Sequence, residues 1–364
     1  MGAVGRTLII VLVVVLGLGA ALYFLGPKSA SRSQTLEIER PAATVMARLA
    51  STPVGSPVAE GVTIAEAASV EGDTVTAPVA FADGGTGRVS YRVTSAGEGS
   101  RVQVKLEEDL GPSPMARFAA FTGGDVGPLI AGAATALETD LNALPNASFE
   151  NLQYSVVQLE ARPFFYVENC SDTSAESITS IISQAVQAIP PVMRANNLTV
   201  SGELMAVEPR VVSNQYCYQV GYPYGGRQPR ALLIGKTGQT PSGTALRIVY
   251  TGTEEDVLTQ VYDPMDALLA AAHLDDPATR EDDWATYEVY HDDPTQAGGS
   301  RNREIYYVAQ GDLAALTRIQ APVDAAPVPA SEPAATETPA EGATETPAEG
   351  ATETPAEAPA TTTP

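Results

Sequence analysis

Residues 152–310 repeat one pattern twice, and that repeat limits the fold more than any single motif. In the first copy a strand pattern over 164–169 leads into a helix opened by Thr173 and Glu176 in capping-box spacing. Ile178, Ile181, Ile182 and Ile189 make its apolar stripe, and Pro190 with Pro191 are expected to stop or kink it. Strand patterns over about 200–208 and 215–222 follow. In the second copy the strand is 245–252, the capping box is Thr253 with Asp256, and Val257, Val261, Pro264 and Leu268 share one helical face. Strands at about 286–291 and 303–309 close it. Each copy reads strand, helix, strand, strand, with one apolar sheet face to cover. Two such units bury those faces against each other or against their helices and leave a groove on a pseudo-twofold axis.

Twelve of the fourteen tyrosines lie in this region, which makes it the place to look for a ligand site. The segment 284–294 sets one carboxylate among aromatic rings. Side chains alternate along a strand, so Glu288 and Tyr290 share one side while Tyr287 and Val289 take the other. Aromatic faces attract cations, and a buried carboxylate needs a positive or hydrogen-bonding partner, so the pattern suits a cation pocket. A sheet-surface Glu paired with a nearby Arg reads the same segment without a ligand. Glu203 stands six residues before Pro209, as Glu288 does before Pro294, which makes the two carboxylates repeat mates directed at one groove. The plainer alternative is a solvent-exposed Glu203 and an accidental alignment. Trp284, Tyr290, Tyr218 and Tyr250 are the expected aromatic walls.

Residues 33–150 differ in texture. An alternating strand over 35–40 meets Pro41 at the start of a short helix, with Val45 and Leu49 four apart. Strands follow at 74–81, 87–94 and 101–106, separated by Gly-rich turns, and a helix is expected over about 125–144. The whole chain is therefore α+β.

Two resemblances follow from these residues. The order strand, Pro-led helix, antiparallel sheet and long closing helix, with Ile38, Pro41 and Val45 at the family's opening, resembles the polyketide-cyclase or START-like (SRPBCC) superfamily over about 34–148. The tryptophans usual there are absent, since the only Trp is Trp284. This implies a small, largely filled helix-grip domain acting as a spacer. Residues 155–310 resemble the GyrI-like effector-binding domain also attached to AraC-type and MerR-type regulators. The resemblance rests on the turn at 249–252 into a helix, the acid before Val289 and Tyr290 with an Asp-Pro turn at Pro294, and the closing strand at 305–308. It implies a tandem βαββ fold whose central groove takes bulky, often cationic, aromatic ligands, with Glu288 as counter-charge. After Gly252, where an aromatic is usual, Thr253 and Glu254 stand instead.

Outside these regions the chain has appendages. Residues 7–25 form an uncharged apolar run nearly long enough to span a bilayer core of roughly 30 Å, and they read as an uncleaved transmembrane anchor behind a short segment 1–6. The domains are expected in the periplasm or outside, with the amino terminus cytoplasmic, although the basic residues flanking the run are nearly balanced. Cys170 and Cys217 suit one disulfide in an oxidising compartment, and two buried thiols satisfy the composition equally well. Residues 319–364 collapse to Ala, Pro, Glu and Thr, with an octad at 335–342 repeated at 343–350. Such a segment is expected to stay disordered, as a spacer with or without an envelope partner.

The net charge is −23, and no basic stretch with interleaved aromatics occurs, so nucleic acid is not an expected partner. The histidines, His273 and His291, lack zinc spacing with the cysteines. No nucleophile elbow, EF-hand loop or phosphate loop is present. No metal or cofactor is expected, and the chain reads more as a binder than as an enzyme. Three functions remain: a membrane-anchored protein binding small aromatic or cationic molecules, a hydrolase of small electrophilic compounds using Glu288 and Glu203, and a structural envelope protein acting through its tail.

Overall fold

The computed structural model describes residues 27–112, 117, 126–172, 174–212, 215–229, 232–253, 256–274, 285–292, 301–309 and 312–324, with a few positions between 13 and 20. Among the described residues the strands form two antiparallel sheets, of seven and nine strands. The first is built from β1 (Ser29–Ile38), β2 (Pro57–Ala59), β3 (Val62–Ile64), β4 (Ser69–Glu71), β5 (Thr74–Phe81), β6 (Thr86–Ala96) and β7 (Gly99–Asp109). Its order is β1-β7-β6-β5-β3-β2, with β4 paired to β5. Helix α1 (Ala42–Ala50) follows Pro41, which takes the N-cap rather than the first turn, and α2 (Val126–Ala143) closes the region. Strict alternation places Val75, Val79, Val89, Val93, Val102, Val104 and Leu106 on the covered face, against Val45 and Leu49 of α1 and Ile130 and Leu141 of α2. Each such side chain contributes roughly 1.5–3 kcal/mol by leaving water.

The second sheet contains β8 (Ser155–Leu159), β9 (Pro163–Ser171), β10 (Thr199–Val200), β11 (Leu204–Val212), β12 (Gln215–Gly225), β13 (Lys236–Gln239), β14 (Gly243–Gly252), β15 (Ala285–Tyr290) and β16 (Arg301–Val308). Helix α3 (Ala175–Ala195) follows β9, α4 (Asp263–Ala271) follows β14, and α5 (Ala314–Ile319) comes last. The order β13-β9-β12-β11-β15-β16-β14-β8 sets β9-α3-β11-β12 beside β14-α4-β15-β16, joined along β11 and β15. The expected tandem repeat is therefore the architecture of this sheet. Gly221 is required where β12 crosses β9, because a Cβ there would stand 2.0 Å from the Phe165 carbonyl oxygen.

The local expectations for the helices fare differently. Pro190 and Pro191 do not stop α3, which runs on to Ala195. Ile189 and Met193 are buried on either side of the prolines, and the carbonyls that lose donors belong to Val186 and Gln187, which face partly or wholly outward where water can serve. The N-cap of α3 is Ser174, accepting from Ser177 N at 3.3 Å, and Thr173 lies outside the described residues. The Thr253 box does form, with Asp256 N donating to Thr253 Oγ1 at 3.2 Å and that hydroxyl donating to Asp256 Oδ2 at 2.7 Å. Short strands β2, β3, β4, β8 and β13 carry too few residues for a periodic signal.

The two sheets belong to one compact unit, and helices meet at the seam between them. Ala47 of α1 is buried in the second core and Ala270 of α4 in the first. Arg48 donates through Nη1 to Ala270 O at 2.7 Å and pairs with Asp140 at 2.7 Å. Phe149 and Leu152, at the expected boundary near 150, are buried in the second core. Gln320 and Val323, expected in the disordered tail, are tied down: Tyr154 Oη donates to Gln320 O at 2.5 Å and Val323 N to Tyr154 O at 2.8 Å. Residues 325–364 lie outside the described residues, as does most of the apolar run 7–25. Among the described residues no helix is long and apolar enough to cross a membrane.

Candidate functional site

Register alone decides which side chains face α3 and α4. Tyr290 pairs with Arg303 and Glu288 with Ile305 on β16, Tyr250 of β14 pairs with the same Arg303, and Ala206 of β11 pairs with Glu288. Directly opposed residues share a face, so Glu288, Tyr290, Tyr250 and Arg303 project together beneath the helices. Glu288 and two of the four expected rings, Tyr250 and Tyr290, are thus brought together around a cation, as the reading of Glu288 paired with a nearby Arg has it. That cation is the protein's own Arg303.

Arg303 Nη1 donates to Glu288 Oε2 at 2.8 Å, with only 1% of the arginine side chain and 12% of the glutamate side chain exposed. The guanidinium carbon lies 5.4 Å from the Tyr250 ring centroid and 5.7 Å from that of Tyr290. Tyr262 Oη donates to the other carboxylate oxygen, Oε1, at 2.5 Å. Tyr262 ends the π-helical turn Leu258–Tyr262 that precedes α4. The extra residue of such a turn rotates the chain off the regular helical stripe, which suits a side chain aimed at a site rather than into packing. Tyr250 Oη donates to Thr253 O at 2.9 Å, fixing the ring under the guanidinium. The hydrogen bond from Tyr262 and the two rings offset part of the cost of burying this pair.

Glu203 does not join the box. The cross-strand partner of Glu288 is Ala206, and Glu203 lies just before β11, 40% exposed, against His291 Nδ1. The spacing back from Pro209 misleads because the β11–β12 register shifts between Val207 and Arg210. Tyr218 also stays away. It is half-buried and packs on the core under α3, on a strand separated from β15 by β11, roughly 10 Å across at ordinary strand spacing. Trp284 lies outside the described residues. Sequence reasoning missed Arg303 and Tyr262. The available signal was parity: Arg303 stands in phase with Ile305 and Tyr307, a charge at an inward position.

The opposite face of the sheet holds a second network. Arg247 donates to Glu304 Oε1 at 2.5 Å, both nearly inaccessible, and Tyr306 Oη donates to the other Glu304 oxygen. His291 Nε2 faces Glu304 Oε1 at 3.3 Å, so its ring stands between Glu203 and Glu304. Tyr287 and Tyr306 stack with centroids 4.6 Å apart. Burial acts to raise the Glu304 pKa, and the hydrogen bonds from Arg247 and Tyr306 outweigh it, leaving the carboxyl below its usual range. Burial, then the Glu304 contact, pushes the Tyr306 phenol up. Cys170 and Cys217 oppose each other in the β9–β12 register and form a disulfide. Among the described residues no cluster of three or more His, Cys, Asp or Glu could hold a metal.

No family model matches the chain, and neither does any curated protein. Among solved structures, it is 13% identical to the EcmrR C-terminal domain, covering 43% of this chain and 97% of that one with a TM-score of 0.31. It is 12% identical to SAV2435 bound to tetraphenylphosphonium, covering 44% and 95% with a TM-score of 0.31. A hydrolase from Listeria innocua is 12% identical, covering 43% and 91% with a TM-score of 0.29. The functional reading rests on the chain's own side chains.

Proposed function

We propose that the chain is a membrane-anchored, extracytoplasmic binding protein whose second sheet is a GyrI-like module, and that a small aromatic or cationic molecule binds by taking the place of the Arg303 guanidinium against Glu288. One observation carries this reading: a carboxylate and two tyrosine rings already enclose a planar cation. Residues 7–25 serve as the anchor, and the disulfide suits an oxidising compartment. The first sheet with its closing helix acts as a START-like spacer, and the tail carries the unit away from or toward the envelope. Hydrolysis loses its basis, because each Glu288 oxygen already accepts a hydrogen bond and Glu203 is not its neighbour.

The filled box also favours a second reading, in which Arg303 ties the strands and the protein acts as a structural element through its tail. A thermal-shift series separates the two, since a ligand that binds only the native state raises its apparent stability. Aromatic cations and alkylguanidinium salts are expected to stabilise Arg303→Met more than the wild type, because the internal competitor is gone, and to lose their effect in Glu288→Gln. Equal shifts from neutral analogues, or no shift in Arg303→Met, would leave the structural reading.

A further inference from the structure

The chain carries 44 acidic residues, yet residues 209–253 contain none. At the centre of that stretch lies the loop between β12 and β13. It leaves through Gly226 at φ 106° and returns through Gly235 at φ 81°, both in the left-handed region that favours glycine. A Cβ on Gly235 would meet Phe165 Cζ at 2.6 Å, so the return leg is pressed onto the core. Leu232 packs into the core under α3, and Gln228 Nε2 donates to Thr237 Oγ1 at 3.1 Å. Held in this way, the loop presents Leu233 wholly to solvent and Ile234 54% exposed. Arg227 is exposed nearby in sequence, and the Lys236 side chain stays 59% exposed although it pairs with Glu168.

We propose that the two described legs of this loop, 226–229 and 232–236, are a docking surface for an anionic lipid bilayer, with Leu233 and Ile234 entering the interface and Arg227 and Lys236 meeting lipid phosphates. Charge selects the occupant. A chain of net charge −23 offers few places to an anionic surface, and this stretch brings Arg227 and Lys236 with no acid of its own, Glu168 beside Lys236 being an acid that faces it from β9. Adjacent exposed aliphatics flanked by long basic side chains match the depth profile of a bilayer interface, apolar below and phosphate above. The feature is independent of the apolar run 7–25 and of the Glu288 box.

The test uses the full chain with Leu233→Cys labelled by an environment-sensitive fluorophore, mixed with phosphatidylglycerol or phosphatidylcholine vesicles. The native cysteines are disulfide-bonded and leave the added thiol as the labelling site. The same label at the exposed Val70 of the first sheet is the control, since insertion of an anchor brings both positions near vesicles. A blue shift at position 233 with phosphatidylglycerol, lost in Arg227→Gln with Lys236→Gln and missing at position 70, is expected. An unchanged spectrum, or an equal response to both lipids or at both positions, overturns the proposal. A concentration-dependent shift without vesicles overturns it in favour of self-association.

Discussion

The two sheets bury different chemistry. The first packs aliphatic side chains under α1 and α2, and its Arg92–Asp73 and Arg101–Glu37 pairs sit in solvent. The second buries two Arg–Glu pairs, one on each face, with tyrosines around both. An aliphatic core tolerates volume-conserving exchange of one apolar side chain for another, whereas a buried ion pair fixes geometry because each charge needs its partner at hydrogen-bond distance. The contrast marks the second sheet as the place where geometry, rather than bulk, is maintained.

The sharpest test of that contrast is Arg303→Met. Leaving Glu288 buried without its partner is expected to cost about 3–5 kcal/mol in denaturant unfolding, while Arg303→Met with Glu288→Leu recovers most of the loss. If the single variant matched the wild type, the second sheet would be no more demanding than the first. Next comes the disulfide that joins β9 to β12 across 47 residues. Replacing both cysteines by serine is expected to remove about 2–4 kcal/mol. A negligible change would mean that the register of the second sheet is held without the covalent tie.

A smaller effect belongs to the seam between the regions. His273 follows α4 at φ 56°, with Nε2 3.3 Å from Arg48 O. Burial, and then the Arg48 charge, lower its pKa below 6.5. The unfolded chain therefore binds a proton that the folded one resists, so this contribution is intact above about pH 6.5 and is lost as pH falls below that value. Asn tolerates the left-handed backbone, and His273→Asn is expected to flatten unfolding curves measured across that window. The smallest effect is Glu37→Gln in the first sheet. Its pair with Arg101 is more than half exposed on both sides, and the change is expected to stay within about 1 kcal/mol. A loss as large as that of Arg303→Met would erase the contrast.

Part of this was legible beforehand. Periodicity located most of the long strands and helices, because a period of two or 3.6 is written directly into which residues are apolar. The same parity put Glu288 with Tyr290, and the Thr253 box needed only three residues of local chain. Glu203 was misplaced because a register shift is a property of two strands together. That α3 continues past its prolines depends on the burial of Ile189 and Met193 on either side of them by the sheet below.

By itself the sequence determined the α+β class, the strand-helix-strand-strand repeat and the placing of a carboxylate beside a tyrosine on one strand face, since these follow from side-chain type and spacing along one chain. The tertiary structure decided that the cation is Arg303, that Tyr262 completes the carboxylate and that Glu203 belongs to another network. Those facts depend on strand order and cross-strand register, which bring residues as far apart as Tyr250 and Arg303, or Glu203 and His291, into one place. A charge on a strand requires some partner, and only the packed sheets specify which one.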